Sequence, residues 1–105
     1  MDDPLIYEMQ SELCHCMSQP ARLQILHLLF DGPKNVGDIA KLTGLEQPTV
    51  SRNLGILRNK GIVNAERRGQ EIIYRVANPK MVEVCNLMRQ VLSEQIAERS
   101  KMFSK

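Results

Sequence analysis

Three groups of residues in this 105-residue chain have types and spacings suited to chemistry. The first is a set of thiols, with Cys14 and Cys16 flanking His15 and Cys85 far downstream. Thiolates are soft ligands for arsenite-like metalloids, cadmium, lead, Cu(I) or zinc, and paired thiols also oxidise to disulfides or take up reactive sulfur. The second is the polar run Gln47, Thr49, Ser51, Arg52 and Asn53. These types donate to phosphates or bridge base edges, Arg to guanine and Asn or Gln to adenine. The third is Arg67-Arg68 just before Gly69, a pair of guanidiniums placed to meet a polyanion.

Charge distribution favours the second and third groups. The net charge is only +2, yet residues 47–75 carry six bases against two acids while residues 1–18 carry four acids and no base. Such concentration is the footprint of a polyanion-binding face. Helical geometry restrains the thiols, because residues two apart on a helix point about 200° apart. Cys14 and Cys16 therefore share one ion only if the helix ends near Cys14; otherwise one of them joins Cys85 across touching helices. Inert packing is the competing reading, since cysteine is among the most buried residue types. A thiol oxidoreductase built on Cys14 and Cys16 conflicts with their acidic surroundings, because a reactive thiol wants a neighbouring base or a helix N-terminus.

The elements that position these residues follow from periodicity. Leu5, Met9, Leu13 and Cys16 or Met17 form one helical stripe over residues 4–17. Ser18 as cap and Pro20 in the first turn open a second helix carrying Leu23, Leu26, Leu29 and Phe30, closed by Gly32-Pro33, with His27 expected as a satisfied core histidine. Asn35 caps a short third helix with Val36, Ile39, Ala40 and Leu42 facing inward and Gly44 ending it. Pro48 begins a fourth, with Val50, Leu54 and Leu57 inside and the polar run outside. Two β-favouring runs, 62–65 and 71–76, flank Glu66-Arg67-Arg68-Gly69-Gln70 as a hairpin. Asn78-Pro79 then starts a long last helix with Met81, Cys85, Met88, Leu92 and Ile96 on one stripe.

Two short helices with a tight turn at Gly44-Leu45-Glu46, then a hairpin with a basic tip, make a helix-turn-helix followed by a wing. The length accommodates one domain. With 43% hydrophobic and 25% charged residues the composition is that of a folded chain. No stretch of about 18 apolar residues and no signal peptide is expected, and three cysteines without secretory context favour reduced thiols in the cytoplasm. So small a core is marginal for a monomer, which favours oligomerisation.

The stretch Met17 to Leu26, the block Gln47-Pro48-Thr49-Val50-Ser51-Arg52-Asn53-Leu54 with Leu57-Arg58, and Gly61-Ile62-Val63 with Gly69 and Tyr74-Arg75 resemble the ArsR/SmtB family of winged-helix repressors. The resemblance covers nearly the whole chain. It implies a homodimer through the first and last helices, an inverted-repeat operator in double-stranded DNA, release by an inducer, and DNA reading by Gln47, Thr49, Ser51 and Arg52. The family's zinc site, Asp-x-His with later ligands, falls on Asn78, Lys80, Val91 and Glu94, and its helix-three arsenic site falls on Asn35, Gly37 and Ala40, so neither is retained.

The expectation is thus a mainly α protein with a small β-hairpin: one winged-helix domain over 1–105, helix-turn-helix about 35–60, wing about 62–76, dimerisation helices about 4–17 and 79–102. DNA contacts are expected from Gln47, Thr49, Ser51, Arg52, Asn53, Arg67 and Arg68. Sensing is expected at Cys14, Cys16 and Cys85 by a thiophilic metal or metalloid ion such as arsenite or cadmium, or by redox chemistry, with no certain cofactor and no membrane partner. An interaction module merely using this scaffold is the rival, and steep loss of DNA affinity with salt separates the two.

Overall fold

A computed structural model describes residues 3–103, so the first two and last two positions of the expected 1–105 domain lie outside the described residues. The order is α1 (Pro4–Cys16), α2 (Pro20–Leu29), β1 (Lys34–Asn35), α3 (Val36–Thr43), α4 (Gln47–Asn59), β2 (Val63–Arg68), β3 (Glu71–Val76) and α5 (Lys80–Phe103). The three strands form one antiparallel sheet in the order β1-β3-β2.

The caps explain most boundaries. Asp3 accepts from the Leu5 N–H, Asn35 from the Asp38 N–H at 2.7 Å, and Asn78 from the Lys80 N–H at 3.0 Å, each relieving a donor left over at a helix start. Gly44 ends α3 with φ of 76°, in the left-handed region where a side chain is strained. The cap expected at Ser18 is displaced: Gln19 occupies the N-cap of α2 without a side-chain bond, while the Ser18 hydroxyl donates to His15 O at 2.6 Å and so closes α1 instead.

The core is aliphatic and lies between α2, α3, α4 and β2. Ile25, Leu26, Leu29, Ile39, Val50, Leu54, Leu57, Ile62 and Val63 are buried there, joined by Cys16 from α1 and Cys85 from α5. Leu42 does not face inward as expected; it is 62% exposed, because the eight residues of α3 bury one narrow stripe through Ile39. His27 also differs from expectation, being exposed with its ring edge-on to Phe30 at 5.5 Å.

The hairpin is longer than its apolar residues suggest. Pairing continues from Val63↔Val76 to Arg68↔Glu71, which leaves only Gly69-Gln70 as the turn. Gly69 has φ of 63° and, among the described residues, no non-glycine has positive φ, the pattern of a type II′ connection with glycine in first place. Arg67 and Arg68 therefore stand at the end of β2, not in a loop. A further strand, Lys34–Asn35, adds to the free edge of β3.

Candidate nucleic-acid interface

The helix-turn-helix is α3, the turn at Gly44-Leu45-Glu46, and α4. Val50, Leu54 and Leu57 anchor α4 in the core, so its opposite face is fixed toward solvent. Gln47, Ser51 and Arg52 are exposed there and Thr49 is half-buried. Among the described residues no group accepts from the Arg52 guanidinium, which leaves all its donors available to a partner. A helix presenting this face fits the major groove.

Asn53 is corrected out of that exposed set. It retains 5% of its surface, donates from Nδ2 to Thr49 O at 2.9 Å and accepts at Oδ1 from Arg22 at 3.3 Å. Its neighbours in the apolar stripe explain this: Asn53 stands three residues after Val50 and four before Leu57, on the buried side. That spacing was the available signal for it. Arg22, by contrast, gives no sign in composition or periodicity of its contact with α4.

The wing carries its charge at the tip. Arg67 and Arg68 are exposed; Arg67 Nε donates to Gly69 O at 3.3 Å, and Arg68 lies 3.6 Å from Glu66. Glu66 is held more closely by Arg75 at 2.7 Å. Exposed pairs of this kind contribute about 0–1 kcal/mol, so Arg68 is readily turned to a phosphate.

The three thiols are not brought together in one chain. Helix α1 continues unbroken to Cys16, so Cys14 points to solvent and Cys16 into the core, 4.0 Å from Ile56 O. Cys85 is buried at the base of α5, lining an open groove of about 820 Å³ with Leu23, His27, Phe30, Met88 and Leu92. Among the described residues no three His, Cys, Asp or Glu side chains cluster as a metal site. Burial pushes both the Cys16 and Cys85 thiols above the ordinary value; Arg22 and Lys60 partly offset this for Cys16, and Arg89 for Cys85.

Helices α1 and α5 meet the body at one end each, where Leu13 and Met81 pack on the core beside those two cysteines. Leu5, Tyr7 and Met9 of α1 and Leu87, Val91, Leu92 and Ile96 of α5 are each more than half exposed. No helix among the described residues is long and apolar enough to cross a membrane.

Fold and face together define a winged-helix DNA-binding protein. The profile of the family described as bacterial regulatory protein, arsR family, matches residues 19–65. The chain is 34% identical over 100 residues to the uncharacterized HTH-type transcriptional regulator Rv0081 of Mycobacterium tuberculosis, covering 94% of this chain and 88% of that one. It is 33% identical over 85 residues to the biofilm growth-associated repressor of Xylella fastidiosa, covering 81% of this chain and 75% of the relative. The crystal structure of Rv0081 superposes with a TM-score of 0.84 at 35% identity, over 94% of this chain and 99% of the other. The solution structure of a homodimeric winged helix-turn-helix domain from Mycobacterium bovis gives 0.83 at 30% identity, over 93% of each. The chain therefore belongs to the ArsR family, and it is a DNA-binding transcriptional repressor in class.

Proposed function

We propose that the chain acts as a homodimer in which α1 and α5 pack against a second copy and two α4 helices enter successive major grooves of an inverted-repeat operator. The observation that carries this reading is the state of α1 and α5: only one end of each helix reaches the core, through Leu13 and Cys16 and through Met81 and Cys85, while Leu5, Met9, Leu87, Leu92 and Ile96 stay open. Contiguous apolar surface on a soluble domain marks an interface, and twofold pairing is the commonest way to cover it. Half-sites then lie about 34 to 36 Å apart, with Gln47, Thr49, Ser51 and Arg52 reading bases and Arg67 and Arg68 holding flanking backbone. Selection from a random duplex pool tests this. Enrichment of an inverted repeat with that spacing is expected, and enrichment of unpaired half-sites or of nothing overturns it.

Induction is proposed to run through the thiols of the interface helices, Cys16 and Cys85, with exposed Cys14 as an accessory. A thiophilic ion or an oxidant that prefers the DNA-incompetent dimer shifts the population by a coupling of about 1 to 3 kcal/mol. Because one chain does not gather three ligands, such a site needs both subunits. The opposing reading, that Cys16 and Cys85 are packing residues, is favoured by their burial as neutral thiols. Titration of the reduced protein on its selected duplex with arsenite, cadmium and a persulfide donor decides. Release that is abolished by Cys85→Ser supports sensing, and release by none of the three supports packing.

A further inference from the structure

We propose that Arg22 of α2 is a positioning residue for DNA reading: its guanidinium ties the end of α1 to α4 and, added to the apolar anchors Val50, Leu54 and Leu57, holds the recognition helix at its working roll without touching DNA. The inference rests on the repressor reading above.

Arg22 Nε donates to Cys16 O, the carbonyl of the last residue of α1, which has no intrahelical partner and lies at the negative end of the helix dipole. The neighbouring carbonyls are already engaged, Cys14 O by the Met17 N–H and His15 O by the Ser18 N–H and hydroxyl. The other arm of the fork, NH1, donates to Asn53 Oδ1 at 3.3 Å. Asn53 is the buried polar side chain of the described core, and its remaining amide group donates to Thr49 O. Its rotation is therefore fixed from both ends.

The consequence lies in the numbering of one helical turn. Thr49, Ser51, Arg52 and Asn53 share that turn of α4, so holding Asn53 inward against Arg22 holds Arg52 outward. Two lesser ties run parallel to the strut, Cys16 Sγ to Ile56 O and Lys60 Nζ to Glu12 at 3.5 Å. All three join α1 to α4, and α1 is the helix that would report the state of the dimer. A planar fork with fixed donors suits this role where a flexible ammonium does not.

The experiment measures operator affinity, generic-duplex affinity, salt slope and melting temperature for wild type, Arg22→Met, Asn53→Ala and the double variant, on the duplex that wild type selects from a random pool. Each single variant is expected to weaken selected-duplex binding about tenfold, with the ratio of selected to generic affinity falling, the slope of log K against log salt unchanged, and the double variant no weaker than the worse single. A merely structural role lowers the melting temperature and leaves that ratio alone. Affinities within twofold of wild type, additive losses, or a slope reduced by about one in Arg22→Met, the sign of a lost phosphate contact, each overturn the inference. If Arg22→Met does not fold, Arg22→Lys replaces it in the same cycle with the same expected losses. Wild type failing to select any duplex overturns the repressor reading and the strut with it, whereas variants binding like wild type overturn the strut alone.

Discussion

Arg52 is the side chain most exposed to test. It is solvent-facing, free of acceptors among the described residues and on the turn of α4 opposite Val50 and Leu54. Arg52→Ala is expected to lose about 1 to 3 kcal/mol of operator affinity and to relax base preference at one position per half-site, with melting unchanged. Arg67→Ala should instead weaken all duplexes alike and lower the salt slope by about one. The thiols divide by burial: Cys14 should alkylate first, while Cys16 and Cys85 resist until the protein opens. Their raised pKa also fixes the sign of a pH effect. As pH climbs from about 8.5, the unfolded chain releases these protons before the folded one does, so stability that is fully present below that pH is lost through the folded pKa. Melting temperatures of the reduced protein should fall over that range, and fall less for Cys85→Ser. Residue types singled out a polar face of α4 that is exposed at Gln47, Ser51 and Arg52, but exposure was legible only where the stripe was read on both sides. Asn53 lies at core spacing and is core, whereas the partner that makes its burial tolerable, Arg22, is 31 positions away and invisible to local pattern.

At the scale of elements, the caps at Asn35 and Asn78 and the glycine at 44 carried their boundaries in the sequence, because capping is local chemistry. What was not local was not legible. Strand β1, Lys34–Asn35, is polar and two residues long, and it exists only because β3 offers an edge to pair with. The hairpin extends to Arg68 for the same reason, since cross-strand pairing holds residues whose own composition suggests a loop. The turn that permits this depends on Gly69. Gly69→Ala is expected to cost roughly 1–2 kcal/mol at its positive φ and to loosen the wing, seen as a lower melting temperature together with weaker binding to generic duplex. A melting temperature equal to wild type would remove the type II′ assignment of its role.

At the scale of the whole molecule, the chain is flat, 58 × 39 × 21 Å, with α1 and α5 standing off the core. Their apolar stripes were legible as helices, but the sequence does not distinguish a stripe that packs on its own domain from one that waits for a second copy. In the structure Leu13 and Cys16 of α1 and Met81 and Cys85 of α5 reach the core, while Leu5 and Met9 of α1 and Met88, Leu92 and Ile96 of α5 stay exposed. Leu92→Glu, placed on the open part of α5, should yield a folded monomer whose operator affinity collapses because two half-sites no longer bind as one. The most direct measurement is the mass in solution of the protein alone and on its selected duplex, by light scattering. Twice the 12.0 kDa chain in isolation, and two chains per duplex, is the expected result. A single chain in both states would contradict the account.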